Sequence, residues 1–199
     1  MQSAAARQDL LDPYQMHRTV LQAFDASRRA AGALFRLEAA ATGAVVLVQS
    51  WQEPDWSCLP GDYLRGPDGG VPDVAVKVWR PRFAHAQLLR FRLRANPTFK
   101  RGRRRLAWLH EGEQLAWLQR QGERSGFTVL QTQLASEGFV RMAPPGRRRR
   151  PLTCHAVLFD GLLTVTEPSL FSGAVARGLG SCKAFGFGLL SLASVGKPS

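Results

Sequence analysis

The sequence predicts an α+β protein built of two modules. Helix patterns and strand patterns alternate through both halves of the 199-residue chain, and 45% of its residues are hydrophobic. That apolar fraction is ordinary for a chain that buries a core, and the length suits two small domains of about 100 residues each. Asn96-Pro97 interrupts the pattern near the middle. We therefore expect one module at residues 1–97 and a second at residues 98–199.

The first module is expected to contain one clear helix and three strands. Asp12 suits the N-cap of a helix, Pro13 suits its first position, and Gln15 completes a capping-box pattern. Strand patterns follow at residues 33–39 and 44–49, whereas glycines, prolines and scattered tryptophans predict irregular structure over residues 51–86. In residues 88–95 arginines alternate with apolar residues, which predicts a strand with one arginine face.

The second module also mixes helices and strands. Helical spacing predicts a helix over residues 113–121, and Pro168 opens a second one that reaches residue 177. Strand patterns cover residues 127–134, 152–159, 162–166 and 189–195. Asp160-Gly161 lies between two of them and predicts a tight turn.

The charge balance indicates a polyanionic partner. The chain has 27 basic and 15 acidic residues, a net charge of +12 and a pI near 11.1. Such a balance is typical of proteins that bind nucleic acid or an acidic membrane surface. No run approaches the roughly 18 apolar residues of a membrane span, and the first residues lack the apolar core of a signal peptide. We therefore expect a cytoplasmic protein.

The cysteines predict neither a metal site nor a disulfide. Cys58, Cys154 and Cys182 are widely spread and odd in number. A zinc site needs about four ligands, and the sequence clusters none around Cys154-His155. We expect no metal and no cofactor.

The helix that begins near Asp12 carries the candidate catalytic residues. Tyr14 and His17 are three residues apart, so they lie on one face of the helix. They are either an aromatic pair that packs the helix or a general base with a tyrosine that orients it. The positive end of the helix dipole disfavours the imidazolium form of His17, which suits a base. Arg18 beside them could hold a phosphate.

Three basic segments could bind phosphates. Arg147, Arg148, Arg149 and Arg150 follow a Pro-Pro-Gly turn; they are a solvated loop or, as we favour, a nucleic-acid contact. Residues 100–105 extend the arginine face of the strand at 88–95 or form a solvated linker. Four glycines frame Lys183 in residues 178–190, which indicates either a tight backbone beside an anion or a plain structural turn.

The candidate set of His17, Tyr14 and many cations suits metal-free cleavage of RNA. The substrate supplies its own nucleophile, the 2′-hydroxyl, so the protein needs only a proton carrier and cations that stabilise the phosphorane.

Five segments in the same order resemble the CasE family of CRISPR-associated endoribonucleases, which process guide RNA in type I-E systems. The resemblance runs from about residue 8 to residue 195. The segments are LDPYQMHR at 11–18, LFRLE at 34–38, FRLRANP at 91–97, EQLAWL at 113–118 and GLGSCKAFGFGLLSL at 178–192.

The resemblance implies two ferredoxin-like (RRM-like) modules in tandem. It also implies cleavage of the CRISPR repeat just 3′ of its stem-loop, without a metal, to leave a 2′,3′-cyclic phosphate and a 5′-hydroxyl. The enzyme would then stay on the RNA hairpin with the other subunits of Cascade.

Carried over by position, the resemblance makes His17 the catalytic residue and Tyr14 its partner. The run 147–150 would lie on a hairpin that enters the RNA stem, and Lys183 falls in the glycine-rich loop of the family. Arg92 and Arg94, on the arginine-faced strand, are further RNA-binding candidates. His17 could act as a base on the 2′-hydroxyl or as an acid on the leaving oxygen.

The chain departs from the family in two places. Residues 1–10 show no pattern for the apolar strand that opens the first module of the family, and losing that strand would leave backbone groups unpaired. Ser181-Cys182 stands where the family often has a basic residue, so one phosphate contact is expected to be missing. The first departure keeps open the alternative of a non-catalytic subunit that only binds the RNA hairpin.

Overall fold

The computed structural model describes residues 3–25, 28–40, 43–64, 74–142 and 151–196. The chain divides into two compact units, which we describe separately. The first comprises Met1–Arg80, Met142–Leu152 and Ala184–Gly186, and the second comprises Pro81–Arg141, Thr153–Lys183 and Phe187–Ser199.

The first unit packs helices and a short 3-10 helix with a strand hairpin. Strands β1 and β2 pair antiparallel, with Leu34 opposite Gln49. The apolar core of the unit is formed by Met16, Val20, Ala23, Phe24, Ala31, Ala33 and Phe35. Its elements are α1 (Ala4–Leu11), α2 (Pro13–Gln22), α3 (Arg28–Ala31), β1 (Leu34–Ala40), β2 (Gly43–Gln49) and the 3-10 helix Trp56–Cys58.

The first described element is a helix that the sequence pattern does not predict. Ser3 caps α1, because its Oγ accepts a hydrogen bond from the backbone N–H of Ala6 at 3.1 Å. Residues 4–11 are therefore helical where the CasE pattern would place the end of an opening strand. Among the described residues of this unit, β1 and β2 are the only strands.

The second unit is a ferredoxin-like fold with an inserted hairpin. Its four-stranded sheet has the order β6-β7-β3-β8 in space. In chain order the strands are β3, β6, β7 and β8; helix α4 lies between β3 and β6, and helix α5 lies between β7 and β8. This arrangement confirms the predicted α+β class. The elements are β3 (Leu88–Ala95), β4 (Thr98–Arg101), β5 (Arg104–Ala107), α4 (Glu111–Ser125), β6 (Phe127–Met142), β7 (Leu152–Val165), α5 (Pro168–Arg177) and β8 (Leu190–Ser194). The 3-10 helix Lys183–Phe185 precedes β8, and its last two residues belong to the first unit.

Strand β3 has the bounds and the two faces that its alternation predicts. It pairs antiparallel with β7 on one side and β8 on the other, so that Leu93 lies opposite both Phe159 and Leu190. Leu93 is fully buried, whereas Arg90 and Arg92 are exposed. Because β3 pairs with these two strands, the boundary that we placed at residue 97 lies inside the second unit, which begins at Pro81.

The predicted turn at Asp160-Gly161 is wrong. Strand β7 runs without interruption from Leu152 to Val165 through both residues. A methyl group at Gly161 would collide with the backbone carbonyl oxygen of Gln131 in the neighbouring strand β6. The glycine therefore marks a close backbone approach inside a sheet, which is the other common reason for glycine in a strand.

This close approach predicts a large effect of Gly161→Ala. The added methyl group meets backbone rather than a flexible side chain, so we expect a loss of about 1–3 kcal/mol in the free energy of unfolding. Urea denaturation followed by circular dichroism measures it. The matched control is Gly112→Ala in α4, where nothing lies within 4 Å of the new Cβ and the change should be neutral or stabilising by up to about 1 kcal/mol. Equal stability of the two variants would contradict the assignment.

Candidate functional site

The helix α2 begins where the sequence predicts. Asp12 is its N-cap, and one carboxylate oxygen (Oδ1) accepts a hydrogen bond from the backbone N–H of Tyr14 at 2.9 Å. Pro13 occupies the first helical position, where a missing N–H costs nothing. The start of α2, and therefore the place of every residue along it, is set by local sequence.

The buried face of α2 determines which residues point outward. Met16 and Val20 are 4% and 3% exposed, and both belong to the core of the first unit. Tyr14 and His17 are half-buried, and Arg18 is exposed. A helix that buries positions 16 and 20 leaves these three positions on the flank and the open side.

Tyr14 and His17 share one neighbour, the aromatic ring of Phe185. The Phe185 ring centroid lies 6.5 Å from that of Tyr14 with 28° between the planes, and 5.7 Å from that of His17 with 65° between them. The pair on one helix face is therefore found as predicted, together with an aromatic partner that the sequence analysis missed. The lysine and the glycines of the glycine-rich segment indicated an anion site or a turn. The signal for an aromatic partner was Phe185 itself, an apolar ring in a segment otherwise rich in glycine.

A buried carboxylate links α2 to two other segments of the first unit. The Asp9 side chain, on α1, accepts hydrogen bonds at one oxygen, Oδ2, from the hydroxyls of Thr19 and Tyr63, each at 2.6 Å. Asp9 is 9% exposed. Burial and the bond to Asp9 raise the pKa of the Tyr63 hydroxyl. This network restricts the rotation of α2 about its axis.

The glycine-rich segment has the left-handed backbone that its composition predicts. Four glycines, namely Gly178, Gly180, Gly186 and Gly188, have φ between 71° and 85°, and Cys182 has φ 60°. The Lys183 ammonium group (Nζ) donates a hydrogen bond to the carbonyl oxygen of Arg177, the last residue of α5, at 2.9 Å. A cation at this place also stabilises the negative end of that helix. Phosphate binding by Lys183 stays a prediction.

The expectation that the cysteines form no disulfide is wrong, because Cys154 and Cys182 are disulfide-bonded. They are 28 residues apart, but the chain returns through α5 and brings the glycine-rich segment beside β7, with their Cα atoms 6.9 Å apart. Cysteine spacing alone does not reveal such a long-range pair.

Asn96 holds the same segment from the end of β3. Its Nδ2 donates to the Ser181 hydroxyl and to the Cys182 sulfur, each at 3.2 Å, and its Oδ1 accepts from the backbone N–H of His155 at 3.0 Å. Ser181 and Cys182, which stand where the CasE pattern often has a basic residue, thus attach the segment to the sheet.

The arginines of β3 that we expected to bind RNA carry acidic partners. The Nε atom of Arg92 lies 2.7 Å from a carboxylate oxygen of Asp160, and the Nε atom of Arg94 lies 2.6 Å from one of Glu137. Arg94 also stacks over the Phe187 ring, 4.5 Å from its centroid. The predicted RNA-binding run 147–150 lies outside the described residues.

Within the described ranges, no group of three or more histidine, cysteine, aspartate or glutamate side chains could hold a metal ion. In the same residues, no helix is long and apolar enough to cross a membrane.

Comparison with known proteins gives consistent matches over nearly the whole chain. A family model described as "CRISPR associated protein" matches residues 1–194. The chain is 39% identical to the CRISPR-associated endoribonuclease Cse3 of Thermus thermophilus, over 96% of this chain and 94% of that protein. It is 31% identical to the CRISPR system Cascade subunit CasE of Escherichia coli, over 92% of each chain.

A solved structure of Thermus thermophilus Cse3 bound to an RNA that represents a pre-cleavage complex superposes with a TM-score of 0.82. The match has 38% sequence identity and covers 96% of this chain and 93% of that one. The likeness of fold and sequence therefore extends through both units.

The Asp9 network predicts a pH-dependent contribution of Tyr63 to stability. Because the folded state raises the pKa of this hydroxyl above its usual value of about 10, its contribution is present below about pH 10 and is lost as pH rises through the raised value. We expect Tyr63→Phe to lower the free energy of unfolding by about 1.5–3 kcal/mol near pH 8, because the lost bond is to a carboxylate, with the gap to wild type closing above about pH 10. Urea titrations across this range measure the effect.

Thr19→Val is the matched control for Tyr63→Phe. It removes the other hydrogen bond to Asp9 without removing a titrating group, so its loss of stability should not change over the same pH range. A Tyr63→Phe protein as stable as wild type near pH 8 would contradict the role of the network.

Proposed function

This chain belongs to the CasE family of CRISPR-associated proteins, and we propose that it is an endoribonuclease that cleaves CRISPR repeat RNA 3′ of its stem-loop. The observation that carries the proposal is the placement of Tyr14 and His17 together on α2 beside Phe185. It is supported by the similarity to Cse3, a CRISPR-associated endoribonuclease, over nearly the full length of both proteins.

The proposed reaction uses the RNA as its own nucleophile. The 2′-oxygen of the nucleotide upstream of the cut attacks the adjacent phosphorus, and the bond from phosphorus to the 5′-oxygen breaks. The 2′-hydroxyl proton passes to a base, and the leaving oxygen gains a proton. The products are a 2′,3′-cyclic phosphate and a 5′-hydroxyl, so proton carriers and cations suffice.

His17 is the proton carrier in this proposal. Its imidazole takes the proton from the 2′-hydroxyl, and Tyr14, one helical turn away, orients the ring or the ribose. Phe185 contacts both rings and limits the positions that they can adopt. Arg18 is exposed beside them and would stabilise the charge that builds on the phosphorane. The same ring could instead protonate the leaving oxygen; either role requires that it reach the scissile phosphate.

Cations outside α2 would hold the RNA stem. Lys183 and the run 147–150 are proposed to contact phosphates, and Arg92 and Arg94 would do so by exchanging a carboxylate for a phosphate. The Arg92–Asp160 pair is exposed, and exposed ion pairs are worth only about 0–1 kcal/mol, so its exchange has a low cost. Recognition of a duplex by its backbone and shape suits such a set of side chains.

After cleavage the protein is proposed to remain on the hairpin as a subunit of Cascade. Its similarity to the Cascade subunit CasE over 92% of each chain supports this assignment. A cytoplasmic location, where the repeat transcripts are made, is part of the same proposal.

The catalytic role of His17 predicts a severe defect in His17→Ala. Loss of a general acid or base usually costs about 10²–10⁴ in rate, and we expect single-turnover cleavage of repeat RNA to slow by that factor while the RNA still binds. The assay should contain EDTA, so that a contaminating metal-dependent nuclease contributes nothing.

The control is His110→Ala, which removes an exposed histidine at the start of α4 whose side chain makes no capping hydrogen bond. Wild-type cleavage by His17→Ala would exclude this catalytic assignment. Failure of the wild-type protein to cut at all would favour the non-catalytic hairpin-binding alternative.

The chemistry also predicts the effect of one atom in the substrate. A single 2′-deoxy nucleotide immediately upstream of the cut removes the nucleophile, so cleavage should be abolished while affinity stays within a few-fold, because one hydroxyl contributes about 1 kcal/mol. Gel-shift and cleavage assays on the same RNA measure both quantities. Continued cutting of the deoxy substrate would rule out attack by the 2′-hydroxyl.

A further inference from the structure

The basic segment at residues 100–105 forms part of a two-stranded hairpin, which lies between β3 and α4 in the chain. Strands β4 and β5 pair antiparallel with each other and are not part of the four-stranded sheet. The connection is Gly102-Arg103, and Gly102 takes the left-handed backbone that a two-residue turn requires, with φ 60°. The sequence pattern alone is compatible with either an extension of the basic surface or a solvated linker here.

The end of the hairpin concentrates like charges. Lys100 lies directly opposite Arg105, and Arg101 lies directly opposite Arg104. These four side chains and that of Arg103 at the turn are exposed. Like charges directly opposite each other on paired strands are destabilising. The sequence therefore places two repulsive pairs on the smallest sheet in the unit.

An apolar base holds the hairpin in spite of this repulsion. The rings of Phe99 and Trp108 stack with centroids 4.1 Å apart and 29° between the planes. The backbone of Trp108 makes two hydrogen bonds. Its N–H donates to the Pro97 carbonyl oxygen at 3.0 Å, and its carbonyl oxygen accepts from the side-chain Nε2 of Gln114 at 3.0 Å. The cations are thus carried on a structured element and not on a loose linker.

The cations of the hairpin differ from those of the adjacent sheet in their partners. Arg92 and Arg94 each have a carboxylate within 2.7 Å. For Lys100 and the hairpin arginines, the described part of the chain provides no such acid within ion-pair distance. Their charge is therefore available to an external anion.

The distribution of charge over both faces indicates what kind of anion. Side chains alternate between the two faces of a strand, so Lys100 and Arg105 lie on one face and Arg101 and Arg104 on the other. A flat acidic patch on a protein would meet only one of these faces. A nucleic-acid backbone can pass along both, because its charges follow a curved strand.

We propose that the β4–β5 hairpin is a phosphate-binding element that contacts the backbone of the repeat RNA. This inference rests on the proposed function for the identity of the RNA. The hairpin adds affinity through its side-chain charges and is distinct from the candidate catalytic residues of α2.

Charge-neutralising variants of the hairpin test the proposal. The double variants Lys100→Gln/Arg105→Gln and Arg101→Gln/Arg104→Gln each remove two facing cations. The dissociation constant for repeat RNA is measured as a function of salt concentration, with the 2′-deoxy RNA so that nothing is cut. Each phosphate contact contributes roughly 0.7–0.9 to the slope of the log–log plot, so each double variant should flatten the slope by about 1.4–1.8. Because repulsion is relieved, the melting temperature should stay the same or rise.

The matched control is Lys77→Gln/Arg80→Gln, which removes two exposed cations from an irregular segment of the first unit. Its slope should stay at the wild-type value. An unchanged slope in the hairpin variants would overturn the proposal, and so would an equal change in the control, which would indicate a general charge effect.

Loss of assembly with other Cascade subunits, together with an unchanged RNA slope, would assign the hairpin to a protein partner and also overturn the proposal. The measurement uses binding alone, so it is independent of whether His17 catalyses cleavage. Failure of the nuclease proposal would appear instead as wild-type cleavage by His17→Ala.

Discussion

The rotation of α2 about its own axis is the constraint on which the candidate site depends. Asp12 fixes where the helix begins, and burial of Met16 and Val20 fixes which side faces the core. The hydrogen bond from Thr19 to Asp9 further restricts the rotation of the helix about its axis. Turning α2 by one residue, about 100°, would expose two apolar side chains worth about 1.5–3 kcal/mol each and break a hydrogen bond to a carboxylate worth about 1.5–3 kcal/mol. A single orientation is therefore strongly favoured, and it presents Tyr14 and His17 together.

An element could be predicted from the sequence when the interactions that form it lie within a few residues of one another. The cap, the proline and the apolar spacing of α2 lie within a few residues of one another, and the alternation in β3 is complete within the strand itself, so both elements were predicted correctly. Gly161 shows the limit. Its neighbour Asp160 made a turn the natural interpretation, but the actual reason for the glycine is the Gln131 carbonyl, thirty positions earlier in the chain. No pattern within the segment distinguishes these two causes.

The glycine-rich segment shows why residues in the candidate site were missed. Its glycines indicated a tight backbone, and the structure has that backbone, but its attachments come from distant parts of the chain. Asn96 reaches it from the end of β3, and Cys154 reaches it from β7. Phe185, whose ring contacts Tyr14 and His17, lies far from α2 in the sequence, so no local pattern pairs them. The sequence offered two interpretations of this segment, an anion-binding backbone and a structural turn. The two are compatible, because a backbone must be held in one conformation before its N–H groups can bind an anion.

The excess of positive charge is handled differently on the two surfaces of the second unit. The chain has 27 basic and 15 acidic residues, so complete pairing would still leave twelve cations without an acid. On the sheet, acids are placed within reach of Arg92 and Arg94, and these ion pairs orient the side chains while lowering the local potential. On the β4–β5 hairpin the cations face one another, and the apolar contact of Phe99 with Trp108 offsets the repulsion. Folding alone gives no reason to choose arginine at four positions of such a small hairpin, because glutamine or threonine there would be more stable. Binding of an anionic ligand explains why the hairpin keeps these destabilising charges. The repulsion between the side chains is relieved when a phosphate lies between them.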